Sequence, residues 1–306
     1  MNAPPHLFTL TGNLLAERTL EFERWSPGAT QRAAAESFQV GGKGINVSKM
    51  LNRLGAPNTA LCFAGGAPGA ECEAWLRAKN FSLQIFPTTA ATRTGVVVRS
   101  GQLETTFLGV DTPPDAAAIR ACADYINSLP AGALAICGSI PGWSSSAFEV
   151  LRDALHRWPE RGSLVVDTYG AALEWLINES AALVRINRTE LNSLVPPGEQ
   201  KAPTGELLRR VRDRFRARRW VITDGAAPVC FIDEHHDPEA LTPPSVRQVS
   251  ATGSGDVMLA CMLHARFHQG LSWRDAVAWS LPWSAANAAH PGIAEFPDPA
   301  QKNWKN

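Results

Sequence analysis

Ala251-Thr252-Gly253-Ser254-Gly255-Asp256 places two glycines and a carboxylate where an extended segment should turn into a helix. Glycines let backbone N–H groups approach an anion, the helix start adds its positive end, and an acid there can take a hydroxyl's proton. The chemistry implied is phosphoryl transfer. Asp256 is the candidate base, and the amides of Gly253, Ser254 and Gly255 are candidate donors to the transferring group. Leu259, Met262, Leu263 and Phe267 recur near the helical period behind this turn and Gly270 supplies a stop, so the spacing predicts a helix there.

A second glycine-rich segment, Gly41-Gly42-Lys43-Gly44-Ile45-Asn46-Val47, also opens a helix. Val47, Met50, Leu51 and Leu54 fall on one helical face and Gly55 follows as the expected C-terminal cap. It is not the nucleotide P-loop, because glycine instead of Ser or Thr follows Lys43 and no glycine lies five residues before Gly42. The run Gly65-Gly66-Ala67-Pro68-Gly69 fails the dinucleotide spacing, and Pro68 is expected to interrupt the helix that fingerprint needs.

The elements that must hold these residues read as an α/β sheet. Leu134 to Cys137, Leu164 to Val166, Leu183 to Ile186 and Trp220 to Ile222 are nearly continuous apolar runs, as buried parallel strands usually are. Each ends in polar residues, Gly138-Ser139, Asp167-Thr168, Asn187 and Thr223-Asp224, where open α/β sheets gather ligand-binding groups. The N-terminal third differs. Thr9 to Phe22, Ala33 to Val40 and Gly95 to Gly109 are β-rich or alternating and predict a small separate sheet.

Together the two glycine segments resemble the paired signatures of the phosphofructokinase B family of ribokinase-like sugar kinases. The first is similar to that family's GGKGxN sugar-site motif, and Gly253-Ser254-Gly255-Asp256 to its GAGD catalytic motif with serine replacing alanine. Thr92-Arg93 is similar to the family's lid phosphate contact, Gly138-Ser139-Ile140-Pro141 to its SGSLP segment, Asn187-Arg188-Thr189-Glu190 to its NxxE motif, and Thr223-Asp224-Gly225 to a nucleotide-contact turn. The resemblance covers nearly the whole chain.

It implies one ribokinase-like α/β domain over residues 1–306, with a mostly parallel central sheet flanked by helices. A small β-sheet lid would be formed by excursions at about residues 10–40 and 90–110, and its outer face often pairs two subunits, so a homodimer through the lid is expected. The implied cofactors are ATP and Mg²⁺. Asn187 and Glu190 would place the metal and its waters against the nucleotide phosphates, with Glu190 as the metal residue, while Thr223 and Gly225 contact the nucleotide. Asn287 is either an adenine-side contact or a helix-surface amide. On the sugar side the implied residues are Glu17, Gly42, Lys43, Asn46, Arg93 and Ser139, with Lys43, Arg93 and Ser139 serving a phosphate already on the substrate.

Composition fits an enzyme of this size. The 306 residues are 45% hydrophobic with zero formal net charge, which gives no electrostatic case for nucleic acid or an anionic membrane. Arg209 to Arg219 holds seven arginines, but Leu207, Leu208, Val211 and Phe215 form a stripe through it, so a solvated helix face is expected. The six cysteines show no metal-ligand or CxxC spacing and read as reduced thiols. With no signal-like N-terminus and no membrane-length apolar run, a soluble cytoplasmic enzyme is expected. Trp273, Trp279 and Trp283 read as packing residues.

Three departures from the family pattern bear on the substrate. Glu17 stands where the NPALD segment would put Asp, Val97 where hexose-phosphate members often carry lysine, and Arg185-Ile186 replaces Lys-Pro before Asn187, a change expected to be tolerated. The expected reaction is ATP-dependent phosphorylation of a ketohexose phosphate such as fructose 1-phosphate or tagatose 6-phosphate. The alternatives are a kinase of the same fold for an unphosphorylated sugar or a nucleoside, or a non-catalytic sugar-phosphate sensor.

Overall fold

The computed structural model describes residues 4–101 and 103–299. Its strands are β1 (His6–Thr11), β2 (Leu15–Phe22), β3 (Ala35–Gly41), β4 (Asn58–Ala64), β5 (Leu83–Pro87), β6 (Arg93–Ser100), β7 (Leu103–Leu108), β8 (Gly132–Cys137), β9 (Ser163–Asp167), β10 (Leu183–Asn187), β11 (Trp220–Thr223), β12 (Val229–Ile232) and β13 (Glu239–Leu241). Its helices are α1 (Lys43–Arg53), α2 (Gly66–Ala78), α3 (Ala116–Ser128), α4 (Glu149–Arg157), α5 (Ala171–Leu176), α6 (Arg188–Asn192), α7 (Thr204–Arg214), α8 (Ser254–Phe267) and α9 (Trp273–Ala288).

Nine strands form the central sheet in the order β13-β12-β11-β10-β9-β8-β1-β4-β5, parallel from β11 to β5, with β12 and β13 antiparallel. Helices cover both faces, which is why the strands read as unbroken apolar runs. Along β8, Leu134 and Ile136 join the core beneath α3, α4, α5 and α7, while Ala133, Ala135 and Cys137 join the core beneath α1, α8 and α9. The four runs picked out by sequence are β8, β9, β10 and β11, adjacent in the sheet and parallel, so their polar C-terminal ends lie side by side.

The second sheet has the order β3-β2-β6-β7, with β2 and β6 parallel and the outer pairs antiparallel. Here one expectation is corrected. The segment Thr9 to Phe22 is not one small-sheet strand but breaks at residues 12–14. Leu7 and Leu10 are fully buried, so β1 belongs inside the central sheet and only β2 enters the small one. A second correction concerns Pro68. It sits in the first turn of α2, where a missing N–H leaves no helical bond unmade, and the helix continues to Ala78.

In α7, Leu207, Leu208 and Val211 are buried while the arginines face out and meet acids, including Arg210 with Glu199 and Glu206 and Arg209 with Asp237. All six cysteines are free thiols. Trp273 is buried, and Trp279 packs at a tilt against Trp283 with ring centroids 5.4 Å apart. No helix among the described residues is long and apolar enough to cross a membrane.

Candidate active site

The two glycine segments meet. Val47, Met50 and Leu51 of α1 pack in one core with Val257, Met258 and Cys261 of α8, which brings both helix starts to the mouth of the sheet. Gly253 caps α8 in the left-handed region at φ 73°, where an added Cβ would also lie 2.6 Å from Ile293. Asp256 follows in the first helical turn, 5% exposed, and accepts a hydrogen bond from Asn46 Nδ2 at 2.7 Å. Burial, with Asp167 nearby, pushes its carboxyl up to about 6 against the pull of Lys43, Asn46 and Arg185. A carboxyl poised there is ionised at neutral pH yet still basic enough to take a proton.

The amides of Gly253 and Gly255 make no hydrogen bond among the described residues, as the first amides of a helix commonly do not. The Ser254 amide does not join them. It closes a turn by donating to the Ala251 carbonyl at 3.2 Å.

Below the helix starts lies an ionic cluster that sequence reasoning did not assemble. Lys43 Nζ donates to Asp167 Oδ1 at 2.8 Å and lies 3.5 Å from Glu190 Oε1. Arg185 Nη1 donates to Asp167 Oδ2 at 3.0 Å and Nη2 to Thr223 Oγ1 at 2.9 Å. Asp167 is fully buried. Burial alone would raise its pKa, but the two cations outweigh that and hold it below the ordinary carboxylate value. The same acids hold Lys43 and Arg185 above their ordinary values against their own burial. Arg185 fixes a further requirement, since a Cβ on Gly255 would sit 2.2–2.5 Å from its guanidinium.

Asn187 and Glu190 form a capping box at the start of α6. Asn187 Oδ1 accepts from the Glu190 amide, Glu190 Oε2 accepts from the Asn187 amide, each at 2.8 Å, and Glu190 Oε1 is left toward Lys43. Gly225 turns the chain just past β11.

Across the mouth, one face of the small sheet looks onto α1 and α8. Glu17 accepts from Gln39, its register partner on β3. Arg93 donates to Asp111 at 2.8 Å, and Asn13 donates to both Asp111 and Ser139. Lys43 and Arg93, grouped by sequence at one phosphate, therefore have different partners. Between sheet and body is a cleft of about 430 Å³ whose wall includes Glu17, Gly42, Lys43, Asn46, Arg93, Arg185, Asn187, Gly253, Gly255 and Asp256.

Asn287 answers to neither reading made of it. It is 1% exposed, so it is no surface amide, and its side chain is taken up internally: Nδ2 donates to the Thr252 carbonyl and Ser254 Oγ, and Oδ1 accepts from the Ala294 amide. It braces the glycine turn from behind. Asp167, Arg185, Asn13 and Asp111 were not picked out as site residues; the position of Asp167 at a strand C-terminal end was the one available signal.

The pfkB family carbohydrate kinase pattern matches residues 11–300. The chain belongs to that family. This carbohydrate kinase is 28% identical over 300 residues to the ATP-dependent 6-phosphofructokinase isozyme 2 of Mycobacterium tuberculosis strain H37Rv, covering 95% of this chain and 86% of that protein. It is 23% identical to the 1-phosphofructokinase of Borreliella burgdorferi, covering 95% and 94% of the two chains. Among solved structures, phosphofructokinase-2 from Escherichia coli in complex with substrates and products superposes with a TM-score of 0.83 at 22% identity, covering 95% of each chain, and shares the ribokinase-like fold. As a kinase of this family the enzyme takes ATP as its phosphoryl donor.

Proposed function

We propose that the enzyme transfers the γ-phosphoryl group of ATP to a hydroxyl of a ketohexose phosphate such as fructose 1-phosphate or tagatose 6-phosphate. The observation that carries the reading is the Asn46–Asp256 pair at the helix starts, opposite a sheet face bearing Arg93. Asp256 accepts the proton of the attacking hydroxyl, a contribution of about 10²–10⁴ in rate, while Asn46 orients the carboxylate. The free amides of Gly253 and Gly255, with the cations Lys43 and Arg185, face charge developing on the transferring group. Thr223 and Gly225 line the nucleotide side, and the small sheet excludes water that would compete for the phosphoryl group.

Among the described residues no three or more His, Cys, Asp and Glu side chains are grouped to hold a metal alone. Mg²⁺ keeps most of its waters and needs few protein oxygens. Glu190, whose Oε1 has among the described residues only the 3.5 Å contact with Lys43, and Asn187 beside it would hold the hydrated ion, which would supply positive charge against the nucleotide phosphates.

One contact favours a second reading, phosphorylation of an unphosphorylated sugar or nucleoside: Asp111 already neutralises Arg93. Release of ADP from Mg·ATP across free hexoses, pentoses, nucleosides and ketohexose phosphates separates the two. Turnover confined to a phosphorylated ketohexose supports the first reading, turnover on a plain sugar or nucleoside the second, and none the non-catalytic sensor.

We also propose a homodimer through the small sheet. Leu20, Val96, Val98 and Phe107 are cross-strand neighbours on its face away from the cleft, with Phe107 52% exposed. Sedimentation of the wild type against Phe107→Lys tests it. Six free thiols, five of them buried, support a reducing, cytoplasmic setting.

A further inference from the structure

Arg93, Gly95, Val97 and Arg99 alternate onto one face of β6, opposite Leu15, Glu17 and Thr19 on β2 and Leu108, Thr106 and Glu104 on β7. Each of these except Gly95 and Thr19 lines the catalytic cleft. The face is thus cationic at both ends, with glycine and a buried valine between. Val97 on its own counts against a phosphorylated substrate, but the next residue on that face restores the charge it lacks.

The partners of Arg99 set it apart. Its Nε donates to Glu104 at 2.9 Å, which fixes the side chain on the sheet. Its Nη2 donates to the Pro291 carbonyl at 3.0 Å, a neutral acceptor on the main body, and Nη1 makes no hydrogen bond among the described residues. Arg93 instead has its Nη1 on a carboxylate that Asn13 also binds. Three neighbouring cavities, of about 400, 430 and 370 Å³, all have Arg99 and Pro291 in their walls, so this one contact straps the small sheet to the body across the cleft. A guanidinium edge on a neutral carbonyl exchanges readily for a phosphate, which accepts two parallel, charge-assisted hydrogen bonds in place of one neutral one.

We propose that Arg99 is the specificity-determining cation of this kinase, releasing the Pro291 carbonyl to bind the phosphate that the sugar already carries. Glu104 keeps the guanidinium directed along the cleft wall while its terminal nitrogens change partner. The inference rests on the sugar-phosphate reading above and adds which residue reads the phosphate.

The full-length enzyme is assayed for kcat/KM on ketohexose phosphates and on the matching plain ketohexoses. The wild type tests the underlying reading: failure to use any phosphorylated sugar overturns it, and this inference with it. Given that preference, Arg99→Gln is expected to reduce it about 10- to 100-fold, through KM for the sugar phosphate, the worth of one or two charge-assisted hydrogen bonds. Arg99→Lys, which keeps a cation at this half-buried strand position, is expected to recover part of the loss. The role of Arg99 is overturned if Arg99→Gln leaves the preference intact, if it affects phosphorylated and plain sugars equally, if lysine recovers nothing, or if Arg93→Gln alone abolishes the preference.

Discussion

Asn46 Nδ2 and Asp256 Oδ2 lie 2.7 Å apart although 210 residues separate them in the chain, so the two glycine-rich segments are joined by a direct hydrogen bond. The donor holds one carboxylate oxygen and leaves the other for a hydroxyl. Asp256→Asn keeps the shape and removes the proposed base, and is expected to lower kcat by about 10²–10⁴ with little change in KM. Steady-state kinetics at pH 8 check this; unchanged turnover would remove Asp256 from the mechanism.

The raised carboxyl predicts two opposed pH effects. As the proposed base Asp256 would act in its ionised form, so kcat/KM should climb as pH rises through about 6. Folding favours the protonated form, so this group's contribution to stability is full below the unfolded carboxyl value and declines as pH rises through about 6. Asp256→Asn should therefore melt above the wild type at pH 8 and lose that advantage near pH 4. Thermal midpoints at the two pH values decide it, and equal midpoints at pH 8 would mean the carboxylate is not strained.

Asp167 holds two cations at once, Lys43 at 2.8 Å and Arg185 at 3.0 Å, and is itself fully buried. Asp167→Ala leaves the buried Arg185 without its counter-charge, which costs about 3–5 kcal/mol in comparable sites. Because its folded pKa is depressed, the wild-type contribution is present above about pH 4 and lost as acid protonates the group. Urea unfolding at pH 7.5 should show the full loss. A loss under about 1 kcal/mol would mean water or Glu190 compensates the cations.

Both glycine turns, both following helices and the four central strands are legible because each rests on local pattern: period, caps and polar strand ends. The Asn187/Glu190 pair is legible too, since a capping box needs only three residues' spacing. What sequence does not yield is which long side chain meets which carboxylate. Lys43 reaches Asp167 across 124 residues because β9 ends beside the start of α1, a fact of strand order. Arg185, expected to be a tolerated exchange, proves to be wedged between Asp167, Thr223 and Gly255. Asn287 escaped both readings because the glycine turn folds back onto α9 and covers it.

His264 and His268 stack on the last turn of α8, with ring centroids 5.6 Å apart and planes 10° from parallel, beside Trp279. His264 Nδ1 and His268 Nε2 are buried without a hydrogen-bond partner among the described residues. Burial lowers both pKa values, with each ring's neighbouring imidazole adding to it: His268 for His264, His6 for His268. A depressed histidine favours the neutral folded form, so stability should hold above about pH 6.5 and fall as pH drops toward 5. His264→Phe keeps the stack and should flatten that slope. The check is the thermal midpoint from pH 7.5 to 5; an unchanged slope would place the acid sensitivity elsewhere.

Gly255 and Arg185 are coupled by contact, because any side chain at 255 meets a guanidinium fixed on both sides. Gly255→Ala must push Arg185 off Asp167 or Thr223, or push the start of α8 away from the cleft, and either disturbs the cradle around Asp256. We expect kcat to fall at least tenfold, the consequence of displacing preorganised groups by a few tenths of an ångström. Arg185→Lys frees space beside Gly255, so the alanine should cost less in that background, with an interaction energy of about 0.5–3 kcal/mol in the double-mutant cycle. Strict additivity of the two substitutions in kcat/KM would show that the helix start is set by its own backbone and not by Arg185.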